Sequence, residues 1–570
     1  MTHNFRIGRR LFAVITAALL LTGLALPARS APPPEGAEWT EHYFPSVDGT
    51  MLHADVLRPA NLSEKTKTPV ILTVSPYTNH SSTNPADPIP YDPNGEGPSD
   101  RFYDFLEVSD ILKNGYTYVM VDLPGTGGSG GCNDWGGPAE QGAVKAAVEW
   151  SASQPWSTGR VGMMGKSYDA WTGLMGIAQK PKGLAAVVAM EPVYAGYRYL
   201  YNNGVRFSNS VLTPTLFQYI DAKPGSLRDD PMYIANSAPL VYCYGLNIGL
   251  QQQDDPDSDF WAARDLLRST KKANTPLFLT QGFLEPNTKP DGAFDFFNGL
   301  AGPNRAWFGQ FDHVRGWELA GEQFATGRKV FAAEMMRFFD HYVKGVPLAR
   351  AAVHQDAPVA VQDNLGRYRS EPSWPPPDAR LMWNKLKTGT YPDDGRNQAT
   401  GNMTGHGVWT FSQPLPHDVW MAGEPSVKVE LDAVPRANLV ANVYDVKSDG
   451  TATLVSRGAH LIRNPGGQEV ELELYGQDWL FAKGHRLGVL ISGANSGWWV
   501  HIPTQTTVTV TSAEIGIPFL TWDRRSFLDG KTTPELDGYL RTAIATVSPD
   551  TVKGSQQTFR LPPPLATPRR

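Results

Sequence analysis

The chain has 570 residues, of which 41% are hydrophobic and 19% are charged, a composition too apolar and too weakly charged for a disordered protein. Its net charge of −6 argues against a protein that coats nucleic acid, because it has no basic excess to meet phosphates. Two cysteines are too few for a disulfide scaffold or a four-thiolate metal site. The composition therefore predicts a large globular protein with two or three folding units and no nucleic-acid partner.

Residues 1–30 have the parts of a signal peptide. A basic start precedes an apolar run over residues 11–26, and Ala28 and Ser30 suit the small-residue positions of a cleavage site. The alternative is a retained membrane anchor, but the run is shorter than the roughly 20 apolar residues that span a bilayer. We predict a secreted protein, cleaved after Ser30, with no stable membrane insertion. Loss of the four arginines in this leader lowers the net charge from −6 to −10.

The two cysteines, Cys132 and Cys243, form a candidate disulfide, because export places the chain in an oxidising compartment. The alternative is a pair of buried thiols, since a bond requires the two Cα atoms to lie within about 7 Å of each other.

Short strands and helical patterns alternate through the first part of the chain. Residues 39–58 alternate apolar and polar side chains around Asp48-Gly49, which predicts a β-hairpin. Continuous apolar runs then predict buried strands at 70–74, 116–122, 161–164, 185–189 and 277–279. Apolar residues at helical spacing predict helices around 144–151 and 171–178, and a later one over 329–343. This alternation predicts an α/β domain over residues 38–370.

Two stretches depart from that alternation. Residues 195–275 are rich in tyrosine and contain helical pieces such as 259–268, which predicts an inserted cap. The proline-rich segment 374–377 predicts a stiff linker. Beyond it, short alternating strands predict an all-β sandwich over residues 378–570.

The segment around Ser167 predicts a nucleophile. A predicted strand ends at Met164 and a predicted helix begins just after Ser167, within Gly165-Lys-Ser-Tyr-Asp169. This is the strand–turn–helix context of the G-x-S-x-G elbow, although Asp169 stands where the second glycine belongs and the small residue Ala170 comes one position later. The alternative is a serine that only caps the helix.

A nucleophilic serine needs a histidine base and a carboxylate that orients it, and in α/β-hydrolases these follow in the order Ser, acid, His. His313 lies in a loop after the apolar run 306–308, whereas His341 falls inside a predicted helix and His354 lies near the domain exit. The first carboxylate after the strand at 277–279 is Glu285. Asp291 and Asp295 remain alternatives for the acid, because the loop length is unknown.

Other motifs favour no cofactor or metal. Residues 125–130 match G-x-G-x-x-G, but a loop follows them, whereas a dinucleotide site requires a helix. The chain has no H-E-x-x-H, paired C-x-x-C or P-loop sequence, so we predict no metal and no cofactor. Trp498-Trp499 suggests a sugar platform in the sandwich, but tryptophans more commonly pack in a core.

Taken together, short motifs in a fixed order resemble one group of α/β-hydrolases, the Xaa-Pro dipeptidyl-peptidases and cocaine esterases. The motifs are Ser75-Pro-Tyr77, Asp122-x-x-Gly-x-Gly-x-Ser-x-Gly131, Gly165-x-Ser167-Tyr168, Gly282-Phe-Leu-Glu285 and Asp312-His313. The resemblance covers nearly all of the chain after the leader. It implies an α/β-hydrolase fold with an inserted helical cap, followed by a C-terminal jelly-roll sandwich.

The resemblance also implies roles for individual residues. Ser167 is the expected nucleophile, His313 the base and Glu285 the acid, although the group usually has Asp at that position. The Tyr77 hydroxyl and the backbone N–H of Tyr168 are the expected oxyanion donors. The group's elbow normally has glycine where this chain has Ala170.

The expected function is that of a secreted serine hydrolase acting on a small peptide or ester substrate. Xaa-Pro dipeptide cleavage is the first interpretation and a carboxylesterase or acylase of the cocaine-esterase type the second. A peptidase of this kind needs a carboxylate for the substrate's ammonium group, and Asp169, Glu191 and Asp221 are candidates. A different class remains open, that of a non-catalytic secreted protein whose sandwich binds cell-wall carbohydrate.

Overall fold

The computed structural model describes residues 32–63, 65–80, 97–213, 217, 226–237, 241–401 and 406–566. The predicted leader, residues 1–30, lies outside this part of the chain. Within it, no helix combines the length and apolar character needed to cross a membrane.

A mixed sheet organises the first part of the chain. Its ten strands are β1 (Ala37–Pro45), β2 (Met51–Pro59), β3 (Thr68–Ser75), β4 (Thr117–Asp122), β5 (Ser157–Lys166), β6 (Leu184–Met190), β7 (Leu277–Gly282), β8 (Asn304–Gly309), β9 (Val359–Gln362) and β10 (Tyr368–Glu371). Their order across the sheet is β1-β2-β4-β3-β5-β6-β7-β8-β9-β10. The strands from β4 to β9 pair in parallel, and an antiparallel strand or hairpin completes each edge.

The predicted hairpin and strands are present in this sheet. β1 and β2 pair antiparallel across the Asp48-Gly49 turn, with Glu41 opposite Asp55 and Tyr43 opposite His53. The parallel strands β3 and β4 are buried along their whole length, as expected for a sheet covered on both faces.

Helices cover the two faces of the sheet and fill its connections. They are α1 (Tyr103–Ser109), α2 (Pro138–Ser153), α3 (Tyr168–Gln179), α4 (Gly196–Leu200), α5 (Pro231–Asn236), α6 (Val241–Leu250), α7 (Asp259–Ala262), α8 (Leu266–Ser269), α9 (Ala293–Gly299), α10 (Phe331–Tyr342) and α11 (Leu348–Ala351), with 3₁₀ turns at Ser208–Ser210 and Val353–Gln355. The buried face of α2 includes Val144, Ala147, Val148 and Ser151, the spacing from which this helix was predicted.

The predicted insertion lies between β6 and β7 and holds the short helices α4 to α8. A two-stranded ribbon, Tyr201–Asn202 with Val205–Arg206, lies between α4 and α5. The predicted helical piece over 259–268 is two separate helices, α7 and α8. The helix is interrupted between them because the Asp265 side chain accepts a hydrogen bond from the Arg268 N–H and so caps the start of a new helix.

The last part of the chain is a sandwich of two antiparallel sheets. Its strands are β11 (Arg380–Lys385), β12 (Gly389–Pro392), β13 (Gly407–Phe411), β14 (Val419–Gly423), β15 (Ser426–Ala433), β16 (Asn438–Val446), β17 (Thr451–Leu461), β18 (Gly466–Glu473), β19 (Gln477–Phe481), β20 (Arg486–Ser492), β21 (Thr507–Phe519) and β22 (Ile544–Thr546). One sheet has the order β18-β15-β21-β14-β19, and β11 and β12 also pair with β21. The other sheet has the order β13-β20-β16-β17-β22. Helices α12 (Pro534–Thr542) and α13 (Pro549–Gly554) flank β22.

The junction between the two parts is buried. Trp374, in the segment predicted as a stiff linker, is fully buried, and its ring lies 4.2 Å from that of Phe294 and 5.2 Å from that of Phe283. Arg369 on β10 makes two hydrogen bonds to Asp478 on β19, of 2.7 and 2.6 Å. The sandwich is therefore packed against β10 of the first part, and Trp374 is a core residue rather than part of an exposed linker.

Candidate functional site

Ser167 lies in a strained turn between β5 and α3. Its backbone angles are φ 66° and ψ −125°, in a region that residues with a side chain rarely adopt. Its neighbours on both sides are buried, whereas Ser167 itself keeps partial exposure. A sharp strand-to-helix turn of this kind presents a hydroxyl above the sheet edge, which is the geometry of a nucleophile elbow.

Gly165 and Asp169 show why the turn tolerates an altered motif. A Cβ on Gly165 would lie 2.4 Å from the backbone carbonyl of Asp169, so the first glycine of the motif is sterically required. Asp169 takes the position of the second glycine, and its carboxylate is buried against Arg101, with the Arg101 Nε 2.8 Å away. This ion pair gives the buried carboxylate a partner at a position where the motif usually has no side chain.

Glu285 and His313 form a buried pair at the ends of two neighbouring strands. Glu285 follows β7 and His313 follows β8, and the parallel pairing of these strands brings their carboxyl ends together. The Glu285 Oε2 lies 2.5 Å from the His313 Nδ1. The other Glu285 oxygen accepts hydrogen bonds from the backbone N–H groups of Asn287 and Thr288. The carboxylate is thus held so that it orients the imidazole, with Nε2 on the opposite side of the ring.

The charge of Glu285 is maintained by its partners. Burial would raise the pKa of this carboxyl, but the attraction of His313 and the hydrogen bonds from His313 and the Asn287 amide hold its pKa below the usual value. A second buried acid, Glu191, behaves in the opposite way, because burial and the nearby charge of Glu285 raise its pKa well above the usual value. The pKa values of these two buried carboxyls are therefore shifted in opposite directions.

The alternatives considered for the acid and the base lie elsewhere. Asp291 binds Arg198 and Asn202, at 2.9 and 3.0 Å. Asp295 lies 4.0 Å from the same arginine. His341 is on α10, where its Nδ1 contacts the Val346 carbonyl oxygen. The structure thus brings Glu285 together with His313 and places the other candidates in separate contacts.

Lys166 connects the elbow to the loop after β8, which contains Gln310, Asp312 and His313 and is called the histidine loop below. Its Nζ donates a 3.0 Å hydrogen bond to the backbone carbonyl of His313. Because Lys166 directly precedes Ser167, this bond ties the main chain of the base to the main chain of the nucleophile candidate. Burial lowers the pKa of Lys166.

The two predicted oxyanion donors also lie at the elbow. Tyr77 follows β3, and its hydroxyl and that of Ser167 are hydrogen-bonding partners. Burial raises the pKa of the Tyr77 phenol, which keeps its proton available for donation. The Arg101 guanidinium lies 4.0 Å from the centre of the Tyr77 ring and holds it in place. Tyr168 is the first residue of α3 and directly follows Ser167, the position whose backbone N–H serves as an oxyanion donor in a nucleophile elbow.

Aromatic side chains form one wall beside the elbow. The ring of Phe217, from the insertion, lies 4.9 Å from that of Tyr168 and 6.3 Å from that of Tyr77. The Tyr199 hydroxyl, also from the insertion, donates to the side chain of Asn287, two residues after Glu285. The insertion thus places aromatic side chains beside Ser167 and beside the loop that carries Glu285.

Two of the three carboxylates considered for binding an ammonium group are already engaged. Asp169 pairs with Arg101, and Glu191 accepts hydrogen bonds from the Gln281 side chain and the Gly282 N–H, each at 3.0 Å. Asp221 lies outside the described residues. The sandwich supplies another acid, Glu535, whose negative charge contributes to raising the pKa of Asp312 to about 7, after the larger effects of burial and Glu285. Sequence reasoning missed Glu535 because it is more than 200 residues from the histidine loop.

Two further predictions concern more distant parts of the chain. Cys132 and Cys243 are joined by a disulfide between the loop after β4 and helix α6, with Cα atoms 5.7 Å apart. Trp499 is buried, and its ring stacks at 5.9 Å on Phe207 of the insertion. Trp499 therefore packs between sandwich and insertion and offers no exposed face to a sugar.

Sequence reasoning also missed a cluster of titratable residues near β1 and β2. It comprises Glu41, His53, Asp55 and His80, and the ligand-type atoms of these four side chains lie within 4.8 Å of one another. Three of the four are buried. The only signal in the sequence was the alternation in β2, which places His53 and Asp55 on one face.

The two parts of the chain match two known protein-family models. Residues 48–315 match the X-Pro dipeptidyl-peptidase (S15 family), and residues 351–537 match the X-Pro dipeptidyl-peptidase C-terminal non-catalytic domain. The first range lies within the α/β part, and the second begins before β9 and extends over most of the sandwich.

Relatives and solved structures agree with this assignment. A protein of Streptomyces avermitilis that carries the name of a Xaa-Pro dipeptidyl-peptidase is 26% identical over 436 residues, 71% of this chain but only 60% of that protein. One of the same name from Rhodopirellula baltica is 23% identical over 84% of this chain and 87% of its own length. A CocE/NonD family hydrolase from Staphylococcus aureus superposes with a TM-score of 0.63 at 19% identity, covering 84% of this chain and 93% of that one.

The fold class predicted from the sequence, an α/β-hydrolase followed by an all-β domain, is confirmed by these matches together with the order of the sheet. Both parts of the chain thus match, in the same order, the catalytic and C-terminal domain models of X-Pro dipeptidyl-peptidases of the S15 family.

Proposed function

We propose that this protein is a serine hydrolase that releases Xaa-Pro dipeptides from the amino ends of peptides, with Ser167 as nucleophile, His313 as base and Glu285 as the acid of the triad. The observation that carries the proposal is the left-handed backbone of Ser167 at the strand-to-helix turn, because a residue with a side chain is held there only when its surroundings demand it. The matches to the two X-Pro dipeptidyl-peptidase domain models and the buried Glu285–His313 pair add to it.

The proposed reaction follows from the positions of these groups. His313 takes the Ser167 proton, and the Ser167 oxygen attacks the carbonyl carbon of the proline residue. Tyr77 and the Tyr168 N–H donate to the oxygen that becomes negative. His313 then gives its proton to the leaving amine, and an ester remains on Ser167. Water, activated by the same imidazole, releases the dipeptide and restores the serine.

Two features support a peptide substrate. The aromatic wall of Tyr168, Phe217 and Tyr77 offers flat apolar surface to a proline ring. The carboxylate of Glu535, at the start of α12, is close enough to influence Asp312 and is the kind of group that binds a substrate ammonium.

One observation favours a second candidate, an esterase or acylase of the same site. Asp169 is paired with Arg101, and Glu191 is a buried acid that accepts hydrogen bonds from Gln281 and Gly282. Neither carboxylate is therefore available to an ammonium group, which a simple acyl ester does not need.

A fluorophosphonate probe separates an enzyme from a non-catalytic binding protein. We expect the purified protein to be labelled, the label to disappear in Ser167→Ala, and it to persist in Ser153→Ala, which removes a serine hydroxyl from the surface of α2. Absence of labelling in the wild type, or equal labelling of Ser167→Ala, would contradict a serine hydrolase.

Substrate specificity is tested with two chromogenic substrates, a Gly-Pro anilide and a simple acyl ester. A peptidase turns over the Gly-Pro anilide, and this turnover is lost in Ser167→Ala. Turnover of the ester alone would favour the esterase and contradict the dipeptidyl-peptidase.

We also propose that residues 1–30 direct export and are removed after Ser30. The disulfide between Cys132 and Cys243 supports an oxidising destination. The amino terminus of protein recovered from the medium of the producing cells is expected to be Ala31, and a mature chain that retains residues 1–30 would contradict cleavage.

A further inference from the structure

The strongest feature outside the proposed active site is the cluster of Glu41, His53, Asp55 and His80. The Nε2 atom of His53 lies 3.3 Å from the Glu41 Oε1, and the Nε2 atom of His80 lies 3.0 Å from the Asp55 Oδ2. A tetrahedral zinc ion with bonds of 2.0–2.1 Å requires its ligand atoms to be about 3.3 Å apart. The two close pairs in the cluster already have nearly this spacing.

The other nitrogen of each imidazole is bound to a further carboxylate. The His53 Nδ1 contacts the Asp122 Oδ2 at 2.9 Å, and the His80 Nδ1 contacts the Asp229 Oδ1 at 2.8 Å. A carboxylate that accepts from Nδ1 fixes the tautomer of the ring and leaves Nε2 with its lone pair facing the centre of the cluster. Histidines that bind metals in proteins commonly have their other ring nitrogen hydrogen-bonded to a carboxylate in this way.

The hairpin register brings like charges together in the same place. Glu41 on β1 lies directly opposite Asp55 on β2, on one face of the sheet. Carboxylates opposite each other across an antiparallel pair repel one another and destabilise it. A divalent cation between them and the two imidazoles would cancel the two negative charges. The hairpin is therefore expected to be more stable when a metal is bound.

We propose that Glu41, His53, Asp55 and His80 bind one divalent zinc ion. The donor set decides the metal, since two imidazole nitrogens with two carboxylate oxygens suit zinc, whereas calcium and magnesium take oxygen ligands almost exclusively. Four protein ligands fill a tetrahedral shell, and a filled shell is typical of structural zinc sites.

The position of the site explains what the metal does for the fold. It joins the β1–β2 hairpin to the loop after β3, and through Asp229 it reaches the segment just before α5 in the insertion. His80 comes three residues after Tyr77 on the same loop. Zinc therefore fastens the hairpin, the Tyr77 loop and the insertion to one another.

The test uses the purified full chain and zinc chloride as the only added metal. After treatment with a chelator and dialysis, the protein is loaded with zinc, and bound metal is measured by mass spectrometry. We expect about one zinc per chain. We also expect zinc to raise the Tm of the stripped protein and the chelator to reverse the rise. Less than about a tenth of a zinc per chain would overturn the proposal, because a closed four-ligand site binds tightly.

Variants identify the ligands. His53→Gln and His80→Gln are each expected to lower the bound zinc at least tenfold. His485→Gln is the matched control, because His485 also contacts a carboxylate, Asp445, but lies in the sandwich away from the cluster. If both variants retained the wild-type amount of zinc, the bound metal would be elsewhere and the proposal would fail.

A second measurement does not depend on the folding of any variant. Crystals of zinc-loaded wild-type protein, measured on either side of the zinc absorption edge, are expected to show one anomalous peak between the Nε2 atoms of His53 and His80. Bound zinc with peaks only at surface histidines would overturn the site.

Discussion

The conformation of Ser167 stores energy at the position where the reaction is proposed to occur. A non-glycine residue in such a backbone region costs about 1–3 kcal/mol, which the rest of the fold must offset. The contacts around it provide that support, since Gly165 allows the close approach of α3 and Lys166 is bonded to the His313 carbonyl. We therefore expect that the removal of a single charge or hydroxyl at this site lowers kcat strongly.

Replacement of the acid tests the triad. Glu285→Gln keeps the size of the side chain but removes the charge that stabilises a protonated His313, so we expect kcat to fall by roughly 10³–10⁴-fold. Asp291→Asn is the control, because Asp291 contacts Arg198 and not His313. Both are measured with the substrate that the wild type turns over. Survival of activity in Glu285→Gln together with its loss in Asp291→Asn would show that the acid is assigned wrongly.

Replacement of the phenol tests the oxyanion site. Tyr77→Phe removes one donor and leaves the ring on Arg101, so we expect kcat to fall by about 10²–10³-fold with little change in KM. Tyr116→Phe serves for comparison, since its hydroxyl donates to Asp340 far from Ser167. An unchanged kcat in Tyr77→Phe would contradict a role of the Tyr77 hydroxyl as an oxyanion donor.

At the scale of elements, one buried carboxyl joins two helices below the elbow. Glu140, in the first turn of α2, accepts hydrogen bonds from the Gly136 N–H at 2.9 Å and from the Tyr168 hydroxyl at 2.7 Å. Tyr168 opens α3, so this acid helps to fix the start of the helix that follows the nucleophile candidate. Burial, helped by the charge of Asp134, raises the pKa of Glu140 to about 8.

This raised pKa predicts how stability depends on pH. Between the ordinary value of 4.5 and about 8, folded Glu140 keeps a proton that the unfolded chain releases, so its contribution is complete below that window and is lost as the pH rises through it. The loss is about 1.4 kcal/mol for each pH unit within the window. Glutamine does not titrate, so it lacks this loss. The Tm of Glu140→Gln minus the Tm of the wild type is therefore expected to increase as the pH rises from 5.5 to 8.

The matched control is Glu149→Gln on the same helix, where the carboxylate pairs with Lys145 near the surface. Its Tm difference from the wild type is expected to change little over the same pH range, since surface pairs contribute little. A Tm difference for Glu140→Gln that stayed constant between pH 5.5 and 8 would contradict a titrating Glu140.

At the scale of the whole molecule, contacts between distant segments hold the site together. The disulfide connects two residues 111 positions apart and ties α6 of the insertion to the catalytic body. On the opposite side, Gln310, in the histidine loop, donates to Gln477 of the sandwich at 3.0 Å. The insertion and the sandwich thus both contact the loops that carry the proposed catalytic groups.

Removal of the disulfide is expected to lower the free energy of unfolding by about 2–5 kcal/mol, because closing a loop of this length restricts the unfolded chain. The variant with Cys132→Ala and Cys243→Ala is compared with the wild type by chemical denaturation, with and without a reductant. The chain has only these two cysteines, so the reductant should destabilise the wild type and leave the variant unchanged. Equal stability of all four samples would contradict a contribution from this bond.

Local patterns in the sequence were sufficient for the strands β1 to β7, for helices α2, α3 and α10 and for the strand–turn–helix at Ser167, since these depend on short-range spacing. The strands predicted at 70–74 and 161–164 lie within β3 and β5, and the predicted helix over 171–178 lies within α3. The pattern was insufficient at 259–268, where a side-chain cap at Asp265 divides the helix. It was also insufficient at Trp374, which packs in the core because large aromatic surface is buried in preference to forming an exposed linker.

The sequence by itself determined the order of the parts, the fold class and the short set of residues from which a triad can be built, because strand periodicity, turn chemistry and the order Ser, acid, His all act along the chain. Only the tertiary structure decided which carboxylate meets His313, because parallel pairing of β7 and β8 brings Glu285 and His313 to one sheet edge and directs Asp291 to Arg198. It also gathered Glu41, His53, Asp55 and His80 from three segments with no common spacing. Such clusters arise from strand register and loop packing, which depend on residues far apart in the chain.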